Sequence, residues 1–187
     1  MIQDYLVLVN ADHPIQVEPE ESELVCVSED HPDILMERTA AKALQVLLAD
    51  IGSKDSIVPV SGWRSREEQQ KIWEDTVAEK GLAFARKYVA LPACSEHETG
   101  LAIDLAANAP DIDIICPEFP RSGICQKFRE AAPYYGFIER YAKDKEPVTG
   151  ISEEPWHFRY VGTPHSVIMA KKGLCLEEYY CEERKTR

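Results

Sequence analysis

A histidine and an aspartate stand seven residues apart in Cys94-Ser95-Glu96-His97-Glu98-Thr99-Gly100-Leu101-Ala102-Ile103-Asp104-Leu105. Both side chains are common zinc ligands, with bonds to the ion of about 2 Å. Seven residues span about 23 Å along a strand and rise about 10.5 Å along a helix. Neither regular conformation lets the two meet, so a shared metal requires a chain reversal between them. Gly100 is the residue best suited to make one. Beyond it, Leu101, Ile103 and Leu105 alternate with Ala102, Asp104 and Ala106. As a strand, one face is bulky and apolar, and the other carries Asp104 between two alanines.

A third ligand is available in Glu154-Pro155-Trp156-His157. Pro155 disfavours a helix and pushes Glu154 toward an extended backbone. His157 then shares a face with Arg159 and Val161, while Trp156, Phe158 and Tyr160 take the other. Two histidines, one aspartate and an open fourth position make a catalytic type of zinc site. Zinc lowers the pKa of water to about 7, so a nearby carboxylate such as Glu154 can act as general base. By spacing alone the alternative stays open. An H-x6-D pair recurs by chance, and a buried histidine beside a strand is commonly structural.

The elements that must hold these residues are legible in part. The segments 4–9, 23–27 and 57–60 read as strands, with Pro59 marking the last as buried or at an edge. Apolar spacing predicts a helix over 35–51, stopped by Gly52. Residues 28–33 read as a loop. Ser65 and Glu68 form an S-x-x-E capping box, so a helix runs over 66–80 and Arg64 sits on the turn before its N-terminus. A shorter helix follows over 82–89, and 90–99 is irregular. After the 101–106 strand come an Asp/Pro-rich loop over 108–120, a helix over 123–132, strands over 136–141 and 156–161, and short helices over 165–172 and 175–184. Strands and helices interleave irregularly, which predicts an α+β fold rather than a doubly wound parallel sheet.

The 187 residues fit one domain with a sizeable core, of which 1–34 would be N-terminal strands and loops. A net charge of −12 argues against a general nucleic-acid binder and against adhesion to anionic membranes. The start of the chain, Met1 to Leu6, has neither a basic leader nor a long apolar run, and no segment has membrane length. The six cysteines form no C-x-x-C pair, which favours free thiols and a cytoplasmic setting.

The motifs together resemble one family. Ser95-x-His97-x-x-Gly100-x-Ala102-x-Asp104, followed by Glu154-x-Trp156-His157, is similar to the S-x-H-x-x-G-x-A-x-D and E-x-W-H signatures of the zinc D,D-peptidases. These include the vancomycin-resistance enzymes of the VanX, VanY and two-function VanXY types. Ser61-Gly62-Trp63-Arg64-Ser65 with Glu68-Gln69 resembles a further family segment, with Trp63 where Tyr or Phe is more usual. The resemblance is strongest over 57–180 and is most VanXY-like. It implies a central, mainly antiparallel sheet flanked by helices, the D,D-peptidase/hedgehog-like zinc fold.

The resemblance also implies one Zn2+ on His97, Asp104 and His157, with Glu154 as base and Arg64 as stabiliser of the oxyanion. Gln69, Ser95 and Trp156 would contact substrate. The substrate would be D-Ala-D-Ala, a UDP-linked muramyl pentapeptide, or both, met in the cytoplasm. The rival readings are an L,D-carboxypeptidase or cell-wall endopeptidase, and a non-catalytic zinc-stabilised peptidoglycan-binding module. A purely structural site would need neither Glu154 nor Arg64.

Overall fold

The computed structural model describes residues 4–53 and 55–185; the first three residues, on which the leader reading partly rests, lie outside them. A hairpin, β1 (Leu24–Ser28) and β2 (His31–Glu37), leads into helix α1 (Arg38–Ile51). Strand β3 (Ile57–Ser61) is followed by α2 (Arg66–Lys80) and α3 (Leu82–Tyr88). A 3-10 turn over Glu96–Thr99 precedes β4 (Ala102–Ala107). Then come α4 (Gly123–Ala131), β5 (Phe137–Tyr141), the one-turn α5 (Glu146–Thr149), β6 (Glu154–Tyr160), α6 (His165–Lys172) and α7 (Leu176–Lys185).

The main sheet has the order β3-β4-β6-β5, and every neighbouring pair is antiparallel. This is the expected α+β architecture. Pro59 lies on the edge strand β3, where a proline is tolerated. One face of the sheet carries Ile103, Leu105 and Phe158 into a core shared with Leu44 and Leu47 of α1 and Phe128 of α4. The other face carries Asp104 and His157, which are register partners on adjacent strands. Ser61 is the register partner of Asp104 on the other side. One row across three strands therefore passes from Ser61 to Asp104 to His157.

Three expectations need correction. Residues 4–9 form no strand. Their carbonyls are met instead by a buried side chain, since Arg159 Nη2 donates to Tyr5 O and Val7 O at 3.1 and 2.8 Å. The 28–33 segment is a tight turn entering β2, not a loop. The first helix begins at Arg38 rather than at residue 35, because Leu35 and Met36 pair with Cys26 and Val25. Its N-cap is Glu37, whose carboxylate accepts from the amides of Thr39 and Ala40. Glutamate is outside the usual capping set, which hides the boundary in the sequence.

Two glycines hold the site's approaches. Gly100 adopts φ 72°, the left-handed turn that ends the 3-10 segment and starts β4. Its carbonyl accepts from the Glu37 amide at 2.8 Å, pinning the reversal to the hairpin. Gly62 lies against the backbone of Leu35, and a Cβ there would overlap the Leu35 carbonyl oxygen. The neighbouring Trp63 amide donates to that same oxygen at 2.6 Å. Gly62→Ala should therefore cost about 1–3 kcal/mol, as overpacking does. It should also displace the turn bearing Arg64; a urea unfolding curve indistinguishable from wild type would contradict this.

Candidate metal and catalytic site

The reversal at Gly100 and the β4–β6 register bring three side chains to one point. Ligand atoms of His97, Asp104 and His157 lie within 4.8 Å of one another, and all three residues are buried. Asp104 Oδ1 is 2.9 Å from His157 Nδ1, and Asp104 Oδ2 is 3.0 Å from His97 Nε2. An ion at about 2.0–2.2 Å from each ligand places ligand atoms about 3.3 Å apart, close to these separations.

The second nitrogen of each imidazole is already committed. The Gly62 carbonyl accepts from His97 Nδ1 at 2.7 Å, and Glu96 Oε2 lies 3.3 Å from His157 Nε2. Each outer partner fixes ring orientation and leaves the inner nitrogen free to serve as a metal ligand. Burial, with Arg64 alongside, pushes His97 down to about 4, so the ring is neutral. Its Nε2 lone pair then faces a carboxylate oxygen across 3.0 Å with no proton between them. Two acceptors so placed need a cation, and the donor set of two imidazoles and one carboxylate suits zinc.

His157 behaves differently. Burial pushes it down, but hydrogen bonds to Asp104 and Glu96 outweigh that and raise it to about 9. Burial alone would raise Asp104, yet the hydrogen bond and charge of His157 hold it well below the usual carboxylate range. Glu154 is buried with Oε2 3.9 Å from His157 Nδ1, and burial pushes its carboxyl up to about 8. A divalent cation beside it acts in the opposite sense and favours the carboxylate.

Glu154 and His157 are an odd number of residues apart, so regular alternation would put them on opposite faces. They line the same cavity because the ladder is irregular there. Tyr141 pairs with Glu154 and Glu139 with Phe158, leaving Arg140 alone against residues 155–157. Such bulges re-aim side chains. Glu153, the rival base by composition, is turned away and paired with Arg121 at 2.8 Å.

Arg64, on the turn before α2, reaches the same point. Its Nε donates to Ser61 Oγ and its Nη1 to Gln69 Oε1, both at 3.0 Å, and Nη2 lies 3.3 Å from Asp104 Oδ2. Gln69 is buried and holds Ala90 O with its own Nε2 at 2.8 Å. Both ends of its amide thus serve the wall of the pocket. Ser95 and Trp156 line the cavity too, which measures about 210 Å³. Cys94 does not line it, and burial together with Glu98 raises its thiol pKa, away from a nucleophilic role.

Glu96 is the residue that sequence reasoning missed. It is fully enclosed and accepts on Oε1 from Arg140 Nε at 2.8 Å and Arg159 Nη1 at 2.9 Å. Arg140 in turn donates to both oxygens of Glu177 on α7, at 2.9 and 2.6 Å. Burial would raise Glu96, but the two arginines and His157 hold it well below the carboxylate range. The available signal was an arginine set among aromatics in two strands, Phe158-Arg159-Tyr160 and Arg140-Tyr141.

Residues 33–163 match the D-alanyl-D-alanine carboxypeptidase family VanY. The chain belongs to that family. It is 42% identical over 176 residues to the bifunctional D-Ala-D-Ala dipeptidase and D-Ala-D-Ala carboxypeptidase VanXYC of Enterococcus gallinarum, covering 94% of this chain and 93% of the relative. Its structure superposes on the vancomycin-resistance D,D-dipeptidase VanXYg, solved with a D-Ala-D-Ala phosphinate analogue. That match has a TM-score of 0.92 and 55% identity over 94% of this chain and 70% of the other. A mutant of the D,D-pentapeptidase VanY from the VanB-type cassette, solved with Zn(II), matches at TM-score 0.80 and 32% identity. It covers 95% of this chain and 99% of the other.

Removing one partner of a buried ion pair is strongly destabilising, by about 3 kcal/mol or more. Glu177→Gln should therefore unfold at markedly lower urea, whereas Glu182→Gln on the exposed Lys172 pair should change stability by less than about 1 kcal/mol. Glu96 and Glu177 both have depressed pKa values. Their contribution is fully present above the ordinary carboxylate value of 4.5 and is lost as the pH falls through their folded-state values. The Glu177→Gln deficit should accordingly shrink in acid; a deficit independent of pH would contradict this origin.

Proposed function

We propose that this chain is a zinc-dependent peptidase that hydrolyses D-Ala-D-Ala and removes the terminal D-Ala of peptidoglycan pentapeptide precursors. The observation that carries this reading is a single cavity, in a VanY-family chain, where His97, Asp104 and His157 converge beside Glu154 and Arg64.

His97, Asp104 and His157 would hold one zinc ion. When bound, it supplies Lewis-acid polarisation of the scissile carbonyl and lowers the pKa of water. Glu154 takes a proton from the attacking water as oxygen adds to the peptide carbon. It then gives that proton to the amide nitrogen as the C–N bond breaks, releasing D-Ala as the free amine. Arg64, held by Ser61 and Gln69, presents a fixed cation to the oxyanion. Ser95 offers a hydroxyl to the terminal D-residue, Gln69 shapes its wall, and Trp156 forms an apolar side of the pocket.

Loss of precursors ending in D-Ala leaves those with altered termini, so the activity would support vancomycin resistance. We place it in the cytoplasm, where the dipeptide and the UDP-linked muramyl pentapeptide are made. The six cysteines are all free thiols, as suits a reducing compartment. No helix among the described residues is long and apolar enough to cross a membrane.

Zinc-loaded protein should release D-Ala from D-Ala-D-Ala or from the UDP-linked pentapeptide. Release from neither, or release only from a tetrapeptide ending in L-Lys-D-Ala, would overturn the D,D-reading. Glu154→Ala should retain zinc while turnover drops by at least about 100-fold, the usual size of a general-base effect. Metal analysis of the assayed sample separates loss of base from loss of ion.

A further inference from the structure

Tyr141 closes β5 and sits at the centre of the chemistry without a stated task. Its ring packs on His157 with centroids 4.9 Å apart and planes tilted by 40°. It is the cross-strand partner of Glu154, and directly opposed residues carry Cβ atoms about 5 Å apart. It lines the cavity together with Arg64, Asp104, Glu154 and His157. Only 8% of the residue is exposed, yet no described residue hydrogen-bonds its hydroxyl. A buried phenol ordinarily finds such a partner. The hydroxyl is not among the fully enclosed unpartnered atoms, so it reaches open space, and the residue borders both this cavity and a neighbouring one beside Arg86 and Thr149.

The other donors differ. Arg64 has its three nitrogens directed at Ser61, Gln69 and Asp104. Tyr88, Ser95 and Trp156 also face the cavity, but none is the register partner of the base or packs on a metal-binding imidazole. Arg64 follows β3 at one edge of the sheet, and Tyr141 ends β5 at the other. The two side chains flank the His97, Asp104 and His157 cluster from opposite edges.

We propose that the Tyr141 hydroxyl donates a hydrogen bond to the scissile carbonyl oxygen of the D,D-peptide, converging with Arg64 on that oxygen. It is thus a second donor to the oxyanion. The reading rests on the peptidase function proposed above. The bulge at Arg140 gives the arrangement a structural cause. Consecutive side chains of β5 both serve the site, Arg140 through Glu96 and Tyr141 through the cavity.

Tyr141→Phe removes one oxygen and keeps the ring on His157. In zinc-loaded protein it should lower kcat for D-Ala-D-Ala by about 100-fold, as loss of one oxyanion donor does. KM, melting temperature and zinc content should stay at wild-type values. Affinity for a phosphinate analogue of D-Ala-D-Ala, which places oxygen where the oxyanion forms, should fall in parallel. A kcat and phosphinate affinity within about threefold of wild type would overturn the assignment, as would a loss confined to KM. If wild-type protein releases no D-Ala at all, the peptidase reading fails, and phosphinate binding by wild type and variant still decides the role of the hydroxyl.

Discussion

A carboxylate buried in the middle of an antiparallel sheet is the constraint around which this molecule is built. Asp104 is 5% exposed and faces two imidazoles and a guanidinium. An isolated charge there would be prohibitively costly, so each neighbour has to be held in place to compensate it. His97 is fixed by a backbone carbonyl, His157 by Glu96, and Arg64 by Ser61 and Gln69. The same geometry that makes Asp104 tolerable leaves an imidazole lone pair facing its oxygen, an arrangement that could hold a metal ion.

Glu96 extends the constraint outward. Its carboxylate is satisfied by two arginines that are themselves wholly enclosed, and each arginine recruits a distant piece of chain. Arg159 takes the carbonyls of Tyr5 and Val7, so the N-terminal segment is tied to the site without a strand ladder. Arg140 takes Glu177, so α7 is tied in as well, and Asn10 donates to the same carboxylate at 3.2 Å. A chain of charged contacts thus runs from His157 to both ends of the described chain. Arranged this way, buried ion pairs add little net stability but strongly penalise any structure in which one member is missing.

The sheet supplies order on one face and irregularity on the other. Ile103, Leu105 and Phe158 pack regularly against α1 and α4. On the opposite side, the departure from regular pairing opposite Arg140 turns Glu154 toward His157 and lets Arg140 and Tyr141 both reach inward. A regular strand could not carry Glu154, His157 and Tyr141 to one cavity at these spacings.

The sequence by itself determined the residue types and the local signals. These were the H-x6-D pair with a glycine between, the E-x-W-H run, the capping box before α2 and the α+β alternation. Each is a short-range pattern, and resemblance joined them into one site. Tertiary structure alone decided the rest, because the deciding contacts lie far apart along the chain. Asp104 meets His157 through strand register. Helix α1 starts late because Leu35 and Met36 are claimed by β1. Residues 4–9 read as a strand yet satisfy their carbonyls with Arg159. Glu96, beside a ligand and acidic by type, looks like a solvated residue until Arg140 and Arg159 arrive from two other strands. Whether a charge is solvated or enclosed depends on what folds over it, and no local spacing carries that information.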